Sequence, residues 1–382
     1  MKIDIAHPAR KTDTFRTNAI ASMFNTDTPE SRAFTLSADL PIEGDDWSVG
    51  VIVGPSGSGK SSIGRRIFGP RAVYQPRGWP KDAAIVDAIA PDRPMVEVTG
   101  ALAAVGLGSV PAWLRPYSVL SNGERFRADL ARVVIDRPWR IVIDEFSSVV
   151  DRQIARIGAM AFAKAWRRGA GQAVLLTCHY DVLDWLQPDW VFDTATGRFA
   201  GRWLRRRPRF DLDIFETDWS WWPTFEPHHY LKLPNMIASR CYVGFIDGAP
   251  IAHAAVSPRA GLVEVRVGRL VVMPEWQGVG VGTRFLTEVA HLWLDGRNRF
   301  ERPLTTLINT GHPGLAAALR ARPGWTQVSA SLFGSNKAKS RRTIGEWRAT
   351  LKGPVNHGVG AIGYGGHFRA IQGFRYVGHE VR

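Results

Sequence analysis

The chain has 382 residues, enough for two domains of the usual ~100–200 residues each, and 45% hydrophobic with 22% charged residues excludes a disordered or fibrous chain. The formal charge of +14 favours a polyanionic partner. The longest apolar runs, Ala173 to Cys178 and Leu270 to Met273, fall far short of the ~18–20 residues of a membrane span, which predicts no membrane segment.

The opening MKIDIAHPARKTDTF lacks an apolar export core, so a cytoplasmic home is expected. The first strong element is the apolar run Val49 to Val53, which leads into Gly54, Pro55, Ser56, Gly57, Ser58, Gly59, Lys60 and Ser61, with Ser62 following. This is G-x-x-x-x-G-K-[ST] in a strand-then-helix setting. Its glycines let backbone N–H groups curl around phosphate oxygens, Lys60 reaches the β/γ-phosphates, and the Ser61 hydroxyl ligates Mg²⁺. Further on, Leu120-Ser121-Asn122-Gly123-Glu124 precedes a helical run to Arg132 and puts Ser121 and Gly123 at a helix N-terminus that can bind an anion. Arg140 to Ile143 then reads as a buried strand ending in Asp144 and Glu145, one carboxylate to hold the metal and one to polarise water.

In this order the motifs resemble those of the ABC ATPases. Gly54 to Ser61 matches Walker A, Gln75 in VYQPRGW looks like the Q-loop that also reaches the metal, and LSNGE at Leu120 looks like the signature. Ile141 to Glu145 matches Walker B, Asp151 closes a D-loop-like SSVVD, and His179 in LLTCHYD stands where the switch histidine should. The resemblance implies an ATP-dependent homodimer with ATP between one subunit's Walker A and the other's Ser121 and Gly123. Lys60 and Gln75 are only 15 positions apart, so the antiparallel insertion of transporter ATPases reads as trimmed, and Asn122 and Glu124 depart from the signature. With no membrane segment, ABC ATPases acting on nucleic acids are the nearer comparison than a transporter subunit.

An arginine-rich junction follows, with Arg198, Arg202, Arg205, Arg206, Arg207 and Arg209; a second basic cluster holds Lys337, Lys339, Arg341, Arg342, Arg348 and Lys352. Both suit a phosphate backbone, or simply a solvated basic surface. The stretch Trp219 to Tyr230, with Trp221, Trp222, His228 and His229, offers flat side chains for stacking bases, or a cap over a sheet. His228 and His229 lack partners at zinc spacing. Two strand-like runs flank Asp247-Gly248, a hairpin signal. Val263 to Val272 reads as a strand, followed by Gln277, Gly278, Val279, Gly280, Val281, Gly282 and Thr283 and a helix from Arg284. A strand from Leu304 to Asn309 and a helix from Leu315 to Ala321 come next. Cys178 and Cys241, each in an apolar run, read as buried free thiols.

RLVVMPEWQGVGVGTRFL resembles the VxPxxQGxGxG motif of the GNAT acetyltransferases, whose following helix binds the CoA pyrophosphate. The resemblance covers about residues 211 to 382. It implies that Gln277 to Thr283 supply backbone donors to acetyl-CoA or another acyl-CoA, and that Val271 and Val272 lie along the pantetheine. Transfer to an amine needs a base and an acid. The candidates are Glu264 as base with Tyr376 or His312 as acid, with Asn309 and Tyr376 also plausible substrate or CoA contacts.

The expected fold is an α/β P-loop ABC ATPase domain with a mixed, mainly parallel sheet over residues 1–205, followed by an α+β GNAT acyltransferase domain over 206–382, joined near 198 to 212. The leading functional expectation is ATP-assisted acylation of a nucleic-acid base, DNA ahead of RNA. The logic is similar to that of tRNA acetyltransferases that join a helicase to a GNAT module, and to the Mom-type DNA-modification proteins. Protein or small-molecule N-acetylation with a regulatory ATPase is the alternative, and a clamp whose acyl fold only binds a ligand is the third class.

Overall fold

The computed structural model describes residues 1–7, 13–24, 34–43, 47–75, 78–201, 210–229, 235–236, 238–331 and 370–378. The second basic cluster, Tyr230, and the arginines at 202, 205, 206, 207 and 209 lie outside them. In chain order the first part runs β1 (Lys2–His7), α1 (Phe15–Met23), β2 (Phe34–Asp39), β3 (Val49–Val53), α2 (Lys60–Phe68), α3 (Ile85–Ala88), α4 (Met95–Ala104), α5 (Val110–Trp113) and α6 (Asn122–Asp136). It continues with β4 (Arg140–Ile143), α7 (Arg152–Trp166), β5 (Gln172–Thr177), α8 (Val182–Leu186), β6 (Trp190–Asp193) and β7 (Arg198–Gly201). The rest is β8 (Asp213–Thr217), α9 (Trp222–Phe225), β9 (Arg240–Ile246), β10 (Ala249–Pro258), β11 (Glu264–Val272), α10 (Val281–Leu294), β12 (Thr305–Thr310), α11 (Pro313–Arg320), β13 (Trp325–Ser331) and β14 (Ile371–Tyr376).

These elements form two compact units that do not follow chain order: one holds 1–78 with 136–208, the other 79–135 with 209–382. In the first unit the strands run β4-β5-β3-β6-β7, parallel except for the antiparallel edge strand β7. Every residue of β3 and β5 is buried, which explains why they read as continuous apolar runs rather than alternating ones. Helix α2 lies so close to this sheet that a Cβ on Gly64 would come within 2.9 Å of Leu176 and Val142 side chains. The antiparallel pair β1 and β2 packs Ile3, Ala38 and Leu40 into the same core as Ile52, Ile63 and Phe192. Among the described residues, the stretch between Lys60 and Gln75 holds only α2, a 3-10 turn at Pro70–Ala72 and a single bridge from Val73 to Val142, in keeping with a trimmed insertion.

The second unit is built on a seven-stranded sheet in the order β13-β14-β12-β11-β10-β9-β8. Only β11 and β12 run parallel; the other neighbours are antiparallel. The β9–β10 hairpin turns at Asp247 (φ 52°) and Gly248 (φ 75°), the doubly positive φ that the Asp-Gly pair signals. Because side chains alternate across a strand, the sheet divides its neighbours between two faces. Gly244 and Val272 meet α10, whose Phe285, Leu286, Val289 and Trp293 are buried, while Val243 and Val271 pack with Trp222 and Phe225. Helix α4 packs against α11, where a Cβ on Gly314 would stand 2.8 Å from the Ala103 Cβ. β8 and β13 have no counterpart among the expected strands; their exposed, polar sequences carry little of the apolar run that marks an interior strand.

Candidate functional site

In the first unit the Walker motifs converge because β3, β4 and β5 are parallel and in register. Val53 pairs with Thr177 and Ile143 with Leu175, so Gly54, Asp144 and His179 all follow the carboxyl ends of neighbouring strands, where open α/β sheets bind ligands. The loop from Gly54 to Gly59 turns on three glycines at φ 151°, 78° and 87°, and Gly59 caps α2 in the left-handed region. A Cβ on Gly54 would strike the Thr194 hydroxyl at 2.0 Å, whereas one on Gly57 would meet nothing within 4 Å. The loop is thus fixed at its root and open at its crown. Lys60 Nζ donates to the carbonyls of Gly54 and Pro55 at 2.7 Å each, and Ser58 Oγ lies 2.6 Å from Thr194 Oγ1. Thr194 escaped the sequence analysis; it follows β6 and has no motif of its own.

Asp144 is half-buried and accepts the Glu145 N–H at 2.9 Å, and Glu145 is exposed at φ 51°. That uncommon backbone region for a non-glycine residue carries the second carboxylate off the strand axis. Gln75 is exposed two residues beyond the Val73–Val142 bridge, which brings its backbone toward the Asp144 end of β4. Asp151 caps α7 by accepting from Ile154 N, and His179 N donates to Thr177 Oγ1. Cys178, expected to be buried, is exposed: the strand ends at Thr177, and the chain turns out of the sheet there.

The signature segment lies in the second unit. Glu124 Oε2 accepts Ser121 N at 2.8 Å and Ser121 Oγ accepts Glu124 N, a reciprocal capping box at the start of α6. Glu124 therefore has a local role that explains it as a helix-starting residue, and Gly123 is buried beside it.

The CoA-type loop joins β11 to α10. Gly278 and Gly280 take φ 89° and 97°, Gly280 caps α10, and Thr283 Oγ1 donates to Gly280 O. A Cβ on Gly282 would stand 2.6 Å from a Val272 methyl, so glycine there lets the helix N-terminus close on the strand. The first N–H groups of a helix have no intrahelical acceptor and carry the positive end of its dipole, which fits Val279 to Thr283 to an anionic pyrophosphate. The β11–β12 ladder stops short of the loop. β11 pairs with β12 only from Glu264–Thr305 to Val267–Ile308, although β11 runs on to Val272 and β12 to Thr310. Gly268 is the extra residue of a bulge, since Ala255 faces Arg269 while Val256 faces Val267. Beyond Val267 and Ile308 the ends of β11 and β12 are no longer paired with each other, the kind of strand edge an extended chain such as pantetheine can join.

Of the residues expected in the acyl-transfer site, Asn309 lies at the end of β12 beyond its ladder with β11, while the acid–base candidates Glu264, Tyr376 and His312 each have partners elsewhere in the fold. Glu264 is buried between Arg259 and Arg375, with Arg375 Nε at 3.0 Å, and these arginines hold its carboxyl below the usual range against the opposing effect of burial. A base for an ammonium needs the opposite shift. Tyr376 pairs with Thr306 at the closed end of the strands and packs against Trp325 and His291. His291 is ten residues along α10 from Val281, about 15 Å, so Tyr376 packs near the end of α10 opposite the glycine loop. His312 accepts Leu315 N at Nδ1, capping α11, and its Nε2 faces Gly108 O at 3.2 Å, so both nitrogens are committed.

One candidate had no sequence signal. His253 on β10 is buried, lies opposite Val271, and is ringed by Trp219, Trp222 and Phe225 at centroid distances of 5.3–6.0 Å. The aromatic stretch thus caps the sheet, as one of its two sequence readings had it. Burial, reinforced by nearby His229, pulls the His253 pKa down to about 4.

Residues 211–303 match the model of the Acetyltransferase (GNAT) family. No curated protein matches the chain. Similar solved structures include the dimeric bacterial ABC transporter cassette MJ0796, at 14% identity over 42% of this chain and 87% of that one, with a TM-score of 0.33. Another is cbiO1 from Clostridium perfringens, part of the ABC transporter complex cbiONQ, at 16% identity over 44% of this chain and 80% of that one, TM-score 0.34. A bacterial Atm1-family ABC exporter with ATP bound is similar at 20% identity over 46% of this chain and 36% of that one, TM-score 0.33. The segment 211–303 is thus similar to the GNAT acetyltransferases, and in the first unit the P-loop and the Asp144–Glu145 pair lie at strand ends of the same parallel sheet.

Proposed function

We propose that the chain is an acyl-CoA-dependent N-acyltransferase joined to an ATP-hydrolysing ABC module that acts as a homodimer. The observation that carries the acyltransferase is the glycine loop Gln277–Thr283 at the head of α10, following a β11 that bulges at Gly268 where its ladder with β12 ends. For the ATPase it is the loop 54–61, rooted by Thr194 and open at Gly57, with Asp144 and Glu145 at the end of the strand next but one.

The residues present suit the groups these folds take. ATP phosphates would rest on the Gly57 crown and exchange with the loop carbonyls for Lys60 Nζ; Ser61, Asp144 and Gln75 would hold Mg²⁺, which supplies charge neutralisation at the β/γ-phosphates. Glu145 orients water, His179 contacts the γ-phosphate end, and Ser121, Gly123 and Asp151 complete the dimeric site. In the second domain the α10 N–H groups bind and orient acyl-CoA, and the end of β11 with Asn309 aligns its pantetheine beside the acceptor.

The acceptor we favour is an amino-bearing nucleic-acid base, DNA ahead of RNA, in the cytoplasm. Support comes from the charge of +14, from exposed arginines such as Arg198, and from Trp219 and Trp221, which are partly open on the acceptor face. Among the described residues no helix is long and apolar enough to cross a membrane. Label transfer from radiolabelled acetyl-CoA into separate pools of DNA, RNA and protein, with and without ATP and Mg²⁺, tests the reading. ATP-dependent label in nucleic acid is the expected result; label confined to protein or small amines points to a regulated N-acetyltransferase instead.

A further inference from the structure

The acyl-CoA loop is held by residues that precede it by about 150 positions in the chain. Arg127, only 4% exposed on α6, donates from Nη1 to the Pro274 carbonyl at 2.7 Å and to the Gly106 carbonyl at 3.3 Å. The Gln277 side chain bridges two segments: its Oε1 accepts Gly108 N at 2.9 Å, and its Nε2 donates to Val272 O at 2.9 Å. At Gly106 a side chain would have to displace backbone, and at Gly108 it would have to push the Gln277 amide out of its bond to Gly108 N. A Cβ on Gly106 would stand 2.4 Å from the Gln277 carbonyl oxygen, and one on Gly108 would stand 2.6 Å from Gln277 Oε1. His312 closes the contact from the other side through Gly108 O.

We infer that Gly106, Gly108 and Arg127 are positioning residues for acyl-CoA, and that nucleotide bound at the signature alters acyl-CoA affinity through α6. The inference rests on the proposed function, which places ATP against Ser121 and CoA against Gln277 to Thr283. Its physical basis is that a hydrogen-bonded, buried contact has few intermediate arrangements. Arg127 lies six residues after Ser121 on one rigid helix, so an event that displaces the head of α6 displaces the guanidinium that grips Pro274. Pro274 opens the 3-10 turn Pro274–Trp276 and Gln277 ends it, directly before the glycine loop. Thermodynamic linkage makes the effect reciprocal: acyl-CoA must change nucleotide affinity by the same factor.

The test is equilibrium binding of acetyl-CoA to the full chain, alone and with saturating ATP and Mg²⁺ in a Glu145→Gln background, together with the converse titration of ATP at saturating acetyl-CoA. A shift in Kd of about 10-fold, equal in both directions, is expected. Gly108→Ala and Arg127→Gln should bring that ratio to one, Arg127→Lys should restore part of it, and Gly100→Ala, where an added Cβ meets nothing within 4 Å, should keep it. A purely structural role for these residues would weaken acetyl-CoA equally with and without ATP. If the unsubstituted interface binds both ligands with Kd values independent of one another, the inference is overturned and the proposed function stands. If the chain binds no acetyl-CoA at all, both fall.

Discussion

His253 stands directly across the β10–β11 ladder from Val271, on the face covered by Trp222 and Phe225, and among the described residues neither of its ring nitrogens has a hydrogen-bond partner. A buried imidazole of this kind must stay neutral, and its pKa of about 4 in the fold against 6.5 outside makes the unfolded chain the better proton binder between those values. Stability is therefore full above pH 6.5 and declines as pH falls toward 4, by about 3 kcal/mol if His253 acts alone. Urea unfolding from pH 7.5 to 4.5 should show this slope, and His253→Phe should flatten it; an unchanged slope in that variant removes the assignment.

Lys60 bonds its own loop through the Gly54 and Pro55 carbonyls, so its loss should leave the fold intact while removing the charge that meets phosphate. Lys60→Ala should weaken ATP binding at least 100-fold with an unaltered melting temperature. Glu145→Gln should bind ATP normally, hydrolyse it more than 100-fold more slowly, and accumulate as an ATP-bound dimer visible by light scattering.

Gly280 combines a φ of 97° with the helix N-cap position. Gly280→Glu introduces both backbone strain and a carboxylate where the pyrophosphate charge should lie, and a loss of acetyl-CoA affinity of more than 100-fold is expected by calorimetry. ATP hydrolysis measured on the same preparation should continue.

Two residues with an outward look of catalysis should prove structural. Tyr376→Phe should keep acyl-transfer kcat within about threefold, since the ring is buried against Trp325 and His291 and the substitution keeps that packing. Glu264→Gln leaves Arg259 and Arg375 without their shared carboxylate; with both arginines partly exposed, a loss of about 2 kcal/mol in unfolding free energy is expected rather than a change in the pH profile of transfer.

What was legible in the sequence was local. The P-loop, the Asp144–Glu145 strand end, the Asp247-Gly248 turn and the glycines before α10 each need particular residue types within a few positions, because a positive φ or a helix end is decided within one turn of chain. What was illegible depends on partners far away. Glu264 reads as an available base until Arg375, 111 residues later, is folded onto it. Gly106, Gly108 and Arg127 carry no pattern that announces Gln277, and no composition shift marks the places near residues 78 and 136 where the chain passes between its compact units.

The cysteines have a practical consequence. Cys241 is sealed in β9, with burial pushing its thiol up to about 12, while Cys178 is exposed immediately before His179. Of the two cysteines, a thiol-directed fluorophore would therefore label Cys178 in the native chain without engineering, at the neighbour of His179. A change in its emission on adding ATP would report nucleotide at the proposed switch histidine, turning an overlooked side chain into a test of that role.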